Sequence, residues 1–146
     1  MVTTTLDLPI TVVPAFEVLM ETSRRLIDED LGLFNIAVIV VHMACEVVTE
    51  RKFAQAFTAK NLQYLQGSVT DCLNGYSLAN DRNRNLYVAM TGDEVHKAAF
   101  WSKFKESADR RNQIMHKGLS VDKAAAEESY QAAEKFIAHL LQSSSQ

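Results

Sequence analysis

Both prolines of this 146-residue chain, Pro9 and Pro14, lie within its first 14 residues, and the whole chain has only five glycines. Because proline interrupts a helix more strongly than any other residue, the chain after Pro14 can be helical almost throughout. The apolar residues make up 47% of the chain, which is enough to bury a core, and the length suits one domain. The distribution of proline therefore predicts a single all-α domain.

Apolar spacing divides this domain into about four main helices that pack as a bundle. They are expected at about residues 14–29, 33–59, 94–117 and 122–141. Residues 66–93 combine turn residues with short helical segments, and the repeated Arg-Asn pairs at 82–85 are assigned to a turn. We expect an extended N-terminal arm at 1–13, one helical domain at 14–143 and a frayed tail at 144–146.

Several functional classes are disfavoured by the sequence. The net charge of −3 does not indicate a general nucleic-acid-binding surface, so such binding would need a local patch. The apolar run at 33–48 is too short to span a membrane and contains polar residues. No signal peptide is expected, and Cys45 and Cys72 are expected to be reduced, so a cytoplasmic location is predicted. The four histidines lack metal-ligand spacing, and we expect neither a metal nor a cofactor.

The helix at about 94–117 carries one charged residue on its predicted buried face. At about 100° per residue, this face consists of Phe100, Phe104, Ala108 and Met115. Arg111 projects from the middle of the same face. Because an unpaired guanidinium cannot be buried cheaply, Arg111 must meet an acid, line a wet cleft or lie at a subunit interface. Glu46 on the second helix is the candidate acid, although it could instead pair with His42, four residues before it.

Arg111, Asn112 and His116 form the candidate catalytic group. Asn112 and His116 are four residues apart and share a face beside Arg111. Histidine can transfer protons near neutral pH, whereas arginine stays cationic and offers a planar set of donors to phosphate oxygens. We assign His116 as general base or acid, Arg111 to the charge of the transition state, and Asn112 to orienting the phosphate or the imidazole.

The same residues also fit a simpler interpretation as a helix end. His116 and Lys117 in the last turn would interact favourably with the helix dipole, and Gly118 suits the C′ position. Arg110 is expected near Glu106 on the surface. Lysines and arginines along this helix form a local positive excess that could guide a phosphate backbone, with Arg110 and Lys117 as the predicted substrate-binding residues.

The stretch "FWSKFKESADRRNQIMHKGLSVDKAAAEESYQAAEKFIAHL" resembles the C-terminal half of the HEPN superfamily, the higher eukaryotes and prokaryotes nucleotide-binding domains. The matching features are Arg111, Asn112, His116, the Gly118 turn and the amphipathic helix from Asp122. "NIAVIVVHMACEVVTERKF" is similar to the long second helix of that family, in which an acid such as Glu46 often follows an apolar run.

This resemblance implies a four-helix up-and-down bundle, with short extra helices, that forms a homodimer around a shared Arg–His cleft. It implies a metal-independent RNA endonuclease that leaves 2′,3′-cyclic phosphate ends, in some cases the toxin of a toxin–antitoxin or phage-defence pair with an antitoxin protein as partner. Two alternatives stay open. One is a non-catalytic HEPN module that binds a nucleotide, RNA or a protein, and the other is a helical interaction protein in which the motif is accidental.

Overall fold

The computed structural model describes residues 15–142, and these residues form six α-helices and no strand. The helices are Phe16–Asp28 (α1), Phe34–Ala59 (α2), Gln66–Thr70 (α3), Asp81–Thr91 (α4), Trp101–Lys117 (α5) and Lys123–Gln142 (α6). The all-α prediction is confirmed for this part of the chain. The predicted arm at 1–13 and tail at 144–146 lie outside the described residues.

The long helix α2 lies at the centre of the packing. It contacts α1, α5 and α6, and α6 also contacts α1 and α5. Buried residues occur on several sides of α2, as its nearly continuous apolar sequence predicted. By contrast, α1 buries a single stripe, with Leu19, Ser23 and Ile27 spaced four residues apart. These contacts form a core among the four long helices.

Two predicted helix ends are confirmed by their hydrogen bonds. Gly118 ends α5 in the left-handed conformation, with φ at 65°, and its N–H donates to the carbonyl of Ile114 at 3.1 Å. The sequence allows either Ser120 or Asp122 to cap the last helix, and Asp122 caps α6, because its Oδ1 accepts from the backbone N–H of Ala125 at 2.8 Å. The connection between α5 and α6 is therefore short and well fixed.

Two helix starts differ from the sequence prediction. The helix expected from Glu94 begins at Trp101, because Ala98 is extended (ψ 151°) after a single 3₁₀ turn at Val95–Lys97. The residues 82–85, assigned to a turn, lie inside α4, whose N-cap Asn80 accepts from the backbone N–H groups of residues 82 and 83. The Asn-rich stretch is therefore a helix start rather than a turn.

The buried face of α5 differs from the sequence prediction at one position. Ile114 is buried among α1, α2 and α6, whereas Met115, which was expected in the core, is 57% exposed.

Cys45 is buried and Cys72 is exposed, and both are free thiols. Within residues 15–142, no helix combines the length and the apolar character needed to cross a membrane.

Candidate functional site

Arg111 lies at the seam between α5 and α2, where it contacts the acid predicted for it. Its Nη2 donates to Oε1 of Glu46 at 2.8 Å, so the predicted contact is present. The side chain of Arg111 is 24% exposed and that of Glu46 is 29% exposed. The guanidinium is therefore held at the edge of the core and is still reached by solvent.

Glu46 also lies close to His42, so the two partners that the sequence offered for it are both present. Nε2 of His42 is 3.4 Å from the same oxygen, Oε1, that accepts from Arg111. His42 is buried, and this burial, together with the positive charge of Arg111, lowers the pKa of His42 to about 3. His42 is therefore neutral at physiological pH, and Glu46 carries the charge that balances Arg111.

Only part of the Arg111 guanidinium is used by the protein. Within residues 15–142 its hydrogen bond to Glu46 is the only one it makes, and its Nε is buried without a partner. The Nη1 donors are consequently left for an external acceptor. A planar cation with one side fixed by a carboxylate and another side open is suited to contact an anion.

Asn112 and His116 are exposed on a neighbouring side of α5. In the described part of the chain, neither side chain makes a hydrogen bond or an ion pair. At about 100° per residue, His116 projects about 40° from Asn112 but about 140° from Arg111. One protomer therefore presents Arg111 toward α2 and His116 toward solvent, and does not bring the two side chains against each other.

Arg110 does not make its expected contact with Glu106. Its Nη1 donates to Oγ of Ser129 at 2.7 Å and its Nη2 lies 3.3 Å from Oε2 of Glu128, so it connects α5 to α6. Glu106 instead lies 3.4 Å from Nζ of Lys103. Lys117 is exposed at the end of α5. Of the two predicted substrate-binding residues, Lys117 is the one whose charge is not already balanced by a neighbouring acid.

A loop that the sequence did not indicate lies beside Glu46. A β-carbon built on Gly75 would lie 3.6 Å from Oε2 of Glu46, and Oγ of Ser77 is 3.1 Å from Nε2 of His42. Asn83, near the start of α4, donates from Nδ2 to the carbonyls of Gly75 and Ser77 at 3.2 and 2.9 Å. The Asn74-Gly75 pair is a turn signal, but sequence alone could not show that this turn lies on α2.

No protein-family model, curated protein or solved structure matches this chain. Among residues 15–142, no group of three or more His, Cys, Asp or Glu side chains is arranged to hold a metal ion. The site that the structure does present consists of a half-buried arginine with its acid and an exposed asparagine and histidine.

Proposed function

We propose that this protein is a metal-independent endoribonuclease of the HEPN type, which acts as a homodimer of four-helix up-and-down bundles. One observation carries the proposal: Arg111 is fixed through Nη2 and leaves Nη1 open, while Asn112 and His116 near the same helix end have no hydrogen-bond or ion-pair partner among residues 15–142. A purely structural Arg–Glu pair does not need an exposed, unpartnered histidine one turn and a half further along the helix. A site that handles phosphate does.

The chemistry assigned to these residues is transesterification of RNA. The 2′-oxygen loses its proton to a base and attacks phosphorus, and the bond to the 5′-oxygen breaks as that oxygen receives a proton. His116 acts as the base or the acid, solvent water takes part in the other proton transfer, and Arg111 of the partner protomer stabilises the charge on the nonbridging oxygens. Asn112 orients the phosphate. The products are a 2′,3′-cyclic phosphate and a 5′-hydroxyl, and DNA is not cleaved because it lacks the attacking hydroxyl.

Glu46 has a supporting role in this proposal. Its carboxylate balances the charge of Arg111 in the absence of substrate and fixes the plane of the guanidinium through Nη2. Because Glu46 takes only one of the terminal nitrogens, the cation can contact a phosphate without first breaking this pair. The acid therefore orients Arg111 rather than blocking it.

A second copy of the chain completes the proposed site. Arg111 and His116 project about 140° apart on one helix, so the two groups would meet only where α5 of one protomer faces its partner. Exposed apolar side chains border this region: Met115 lies one turn after Arg111, and Met43 lies three residues before Glu46. Burial of these side chains would favour association through this face.

The proposal is tested with a fluorogenic RNA oligonucleotide of mixed sequence and the variant His116→Ala. We expect cleavage to fall by at least about 100-fold, because proton transfer is lost. His96→Ala is the matched control, since His96 is also exposed but lies in the 3₁₀ turn before α5. Unchanged cleavage by His116→Ala, or no cleavage by the wild-type dimer, would remove the assignment.

The acidic net charge of −3 favours a second candidate function, a HEPN module that binds a nucleotide, RNA or a protein without cleaving it. The attachment of Arg110 to α6 also favours this non-catalytic function, since it leaves fewer free cations beside the site. Thermal stabilisation by a nucleotide without RNA cleavage would identify this function.

In the nuclease case, the biological role proposed is the toxin of a toxin–antitoxin or phage-defence pair, neutralised by an antitoxin protein.

A further inference from the structure

A short loop at Gly75–Ser77 is attached to the protein at three points around the Arg111–Glu46 pair. Its carbonyls at Gly75 and Ser77 accept from Nδ2 of Asn83. Oγ of Ser77 lies 3.1 Å from Nε2 of His42, and the ring of Tyr76 packs on that of Phe53 with centroids 6.2 Å apart. The loop is therefore fixed both to α2 and to the start of α4.

Asn83 is the attachment that holds the backbone of this loop. Its side chain is buried, with a residue exposure of 1%, and its amide can be placed in only one orientation because both neighbouring groups are carbonyls. In that orientation Oδ1 is buried and has no hydrogen-bond partner in the described part of the chain, which costs free energy. A side chain that only filled space here would avoid this cost, so the donors of Asn83 are its specific contribution.

The loop lies close to the second carboxylate oxygen of Glu46. Gly75 has φ at +79°, which glycine adopts without strain, and a β-carbon at this position would lie 3.6 Å from Oε2 of Glu46. Oε1 of Glu46 is occupied by Arg111 and lies near His42. Oε1 of Glu46 is therefore held by Arg111, and the loop backbone lies near Oε2, so a displacement of the loop would change the surroundings of the carboxylate.

We propose that the Gly75–Ser77 loop, held by Asn83, fixes the position of Glu46 and thereby of the Arg111 guanidinium, so that Asn83 is a positioning residue for Arg111. In the part of the chain that the structure describes, Glu46 is the only hydrogen-bond partner of Arg111, so a displacement of Glu46 reaches Arg111 directly. The effect on catalysis rests on the proposed ribonuclease function. The effect on the position of Arg111 does not.

The test compares Asn83→Ala with Asn85→Ala, which removes the same side chain from an exposed position two residues further along α4. Two measurements are made. The first gives kcat and KM for the fluorogenic RNA. The second is the rate at which the Nε proton of Arg111 exchanges with water, followed by NMR on its side-chain resonance, which is assigned by its absence in Arg111→Lys. The second measurement needs no activity.

We expect Asn83→Ala to lower kcat by about 10- to 100-fold with little change in KM, since Arg111 acts on the transition state. We expect the exchange of the Arg111 Nε proton to become faster, while Asn85→Ala changes neither quantity. The loss in kcat should also be much smaller in a Glu46→Gln background, because both changes act through one contact. If Asn83→Ala does not fold, Ser77→Ala, which removes only the hydroxyl near His42, is measured instead.

The outcomes separate this inference from the nuclease proposal. If the wild-type dimer cleaves RNA but Asn83→Ala alters neither kcat nor proton exchange, the inference is wrong and the nuclease stands. If no RNA is cleaved but Asn83→Ala accelerates exchange at Arg111, the nuclease proposal falls and the positioning role stands. Full additivity of Asn83→Ala with Glu46→Gln would also contradict the inference.

Discussion

At the scale of single residues, the neutral state of His42 has a measurable consequence for stability. Burial, with a further contribution from Arg111, lowers the pKa of His42 from 6.5 to about 3 in the folded protein. Below about pH 6.5 the unfolded chain therefore binds a proton at His42 that the folded chain does not bind. The free energy of unfolding should fall as the pH decreases toward 3, and His42 should have no such effect above neutral pH.

The variant His42→Gln tests this pH dependence. Between about pH 6 and pH 4, His42 should contribute a loss of up to about 1.4 kcal/mol per pH unit, and the variant should lack this contribution. The measurement is urea unfolding of both proteins across this range, with His96→Gln, at an exposed histidine, as control. Equal pH slopes for wild type and His42→Gln would show that His42 is not held neutral by the fold.

Arg111 and Glu46 show what residue-level reasoning could achieve from sequence. Because Arg111 falls on the buried side of its helix, it had to meet an acid, line a wet cleft or lie at a subunit interface, and Glu46, the candidate acid, is the partner found. The loop residues around Glu46 could not be predicted in this way. Ser77 and Asn83 are ordinary polar residues in a polar stretch, and their contacts with His42 and the loop depend on how α4 packs beside α2.

At the scale of elements, the end of α5 depends on Gly118. Its φ of +65° is strained for any residue with a β-carbon, although there is open space around it. Gly118→Ala should therefore lower the free energy of unfolding by about 1 to 2 kcal/mol through backbone strain alone. Urea unfolding measures this difference.

Gly67 provides the control for that prediction. It lies in α3, has no positive φ, and also has no atom within 4 Å of a built β-carbon. Gly67→Ala should leave stability unchanged or raise it by up to about 1 kcal/mol, because alanine favours a helix. Equal effects of the two substitutions would mean that the left-handed conformation at Gly118 is not what ends α5.

Helix ends were predictable where the deciding contact is local, and unpredictable where it is distant. Gly118 and Asp122 act on their own turns; Gly118 was identified from sequence, and Asp122 was one of two caps that the sequence offered, the other being Ser120. The late start of α5 follows a segment that begins at Asp93, which accepts from Tyr87 Oη at 2.7 Å and lies 2.9 Å from Nε2 of His139 on α6. These contacts attach the chain before α5 to α4 and α6, and no local residue pattern indicates them.

The position of Met115 has a similar explanation. A regular stripe through α5 predicts that Met115 is buried, but Ile114 is the residue that meets Ile27, Val38 and Ala126. Near its end α5 packs against the first turns of α2 and α6, so its buried face has rotated by about one residue. The neighbouring helices α1, α2 and α6 decide this rotation, and the sequence of α5 contains none of them.

At the scale of the whole molecule, the nuclease proposal requires two protomers, since Arg111 and His116 project to different sides of one α5. This requirement predicts complementation between two inactive variants. Arg111→Ala and His116→Ala should each be inactive alone. A mixed dimer should regain one complete pair, with Arg111 from the His116→Ala protomer and His116 from the Arg111→Ala protomer.

Coexpression of the two variants, followed by a mass measurement and an RNA cleavage assay, tests this prediction. Random association makes half of the dimers mixed, and each mixed dimer has one of its two pairs intact, so activity should return to about a quarter of wild type. The matched control mixes Arg111→Ala/Asn112→Ala with His116→Ala, which should recover less if Asn112 orients the phosphate, because this Asn112 lies on the same side of α5 as the His116 that completes the pair. A dimeric mixture that stays inactive would show that Arg111 and His116 act within one protomer or not at all, and a monomeric mass would remove the shared cleft.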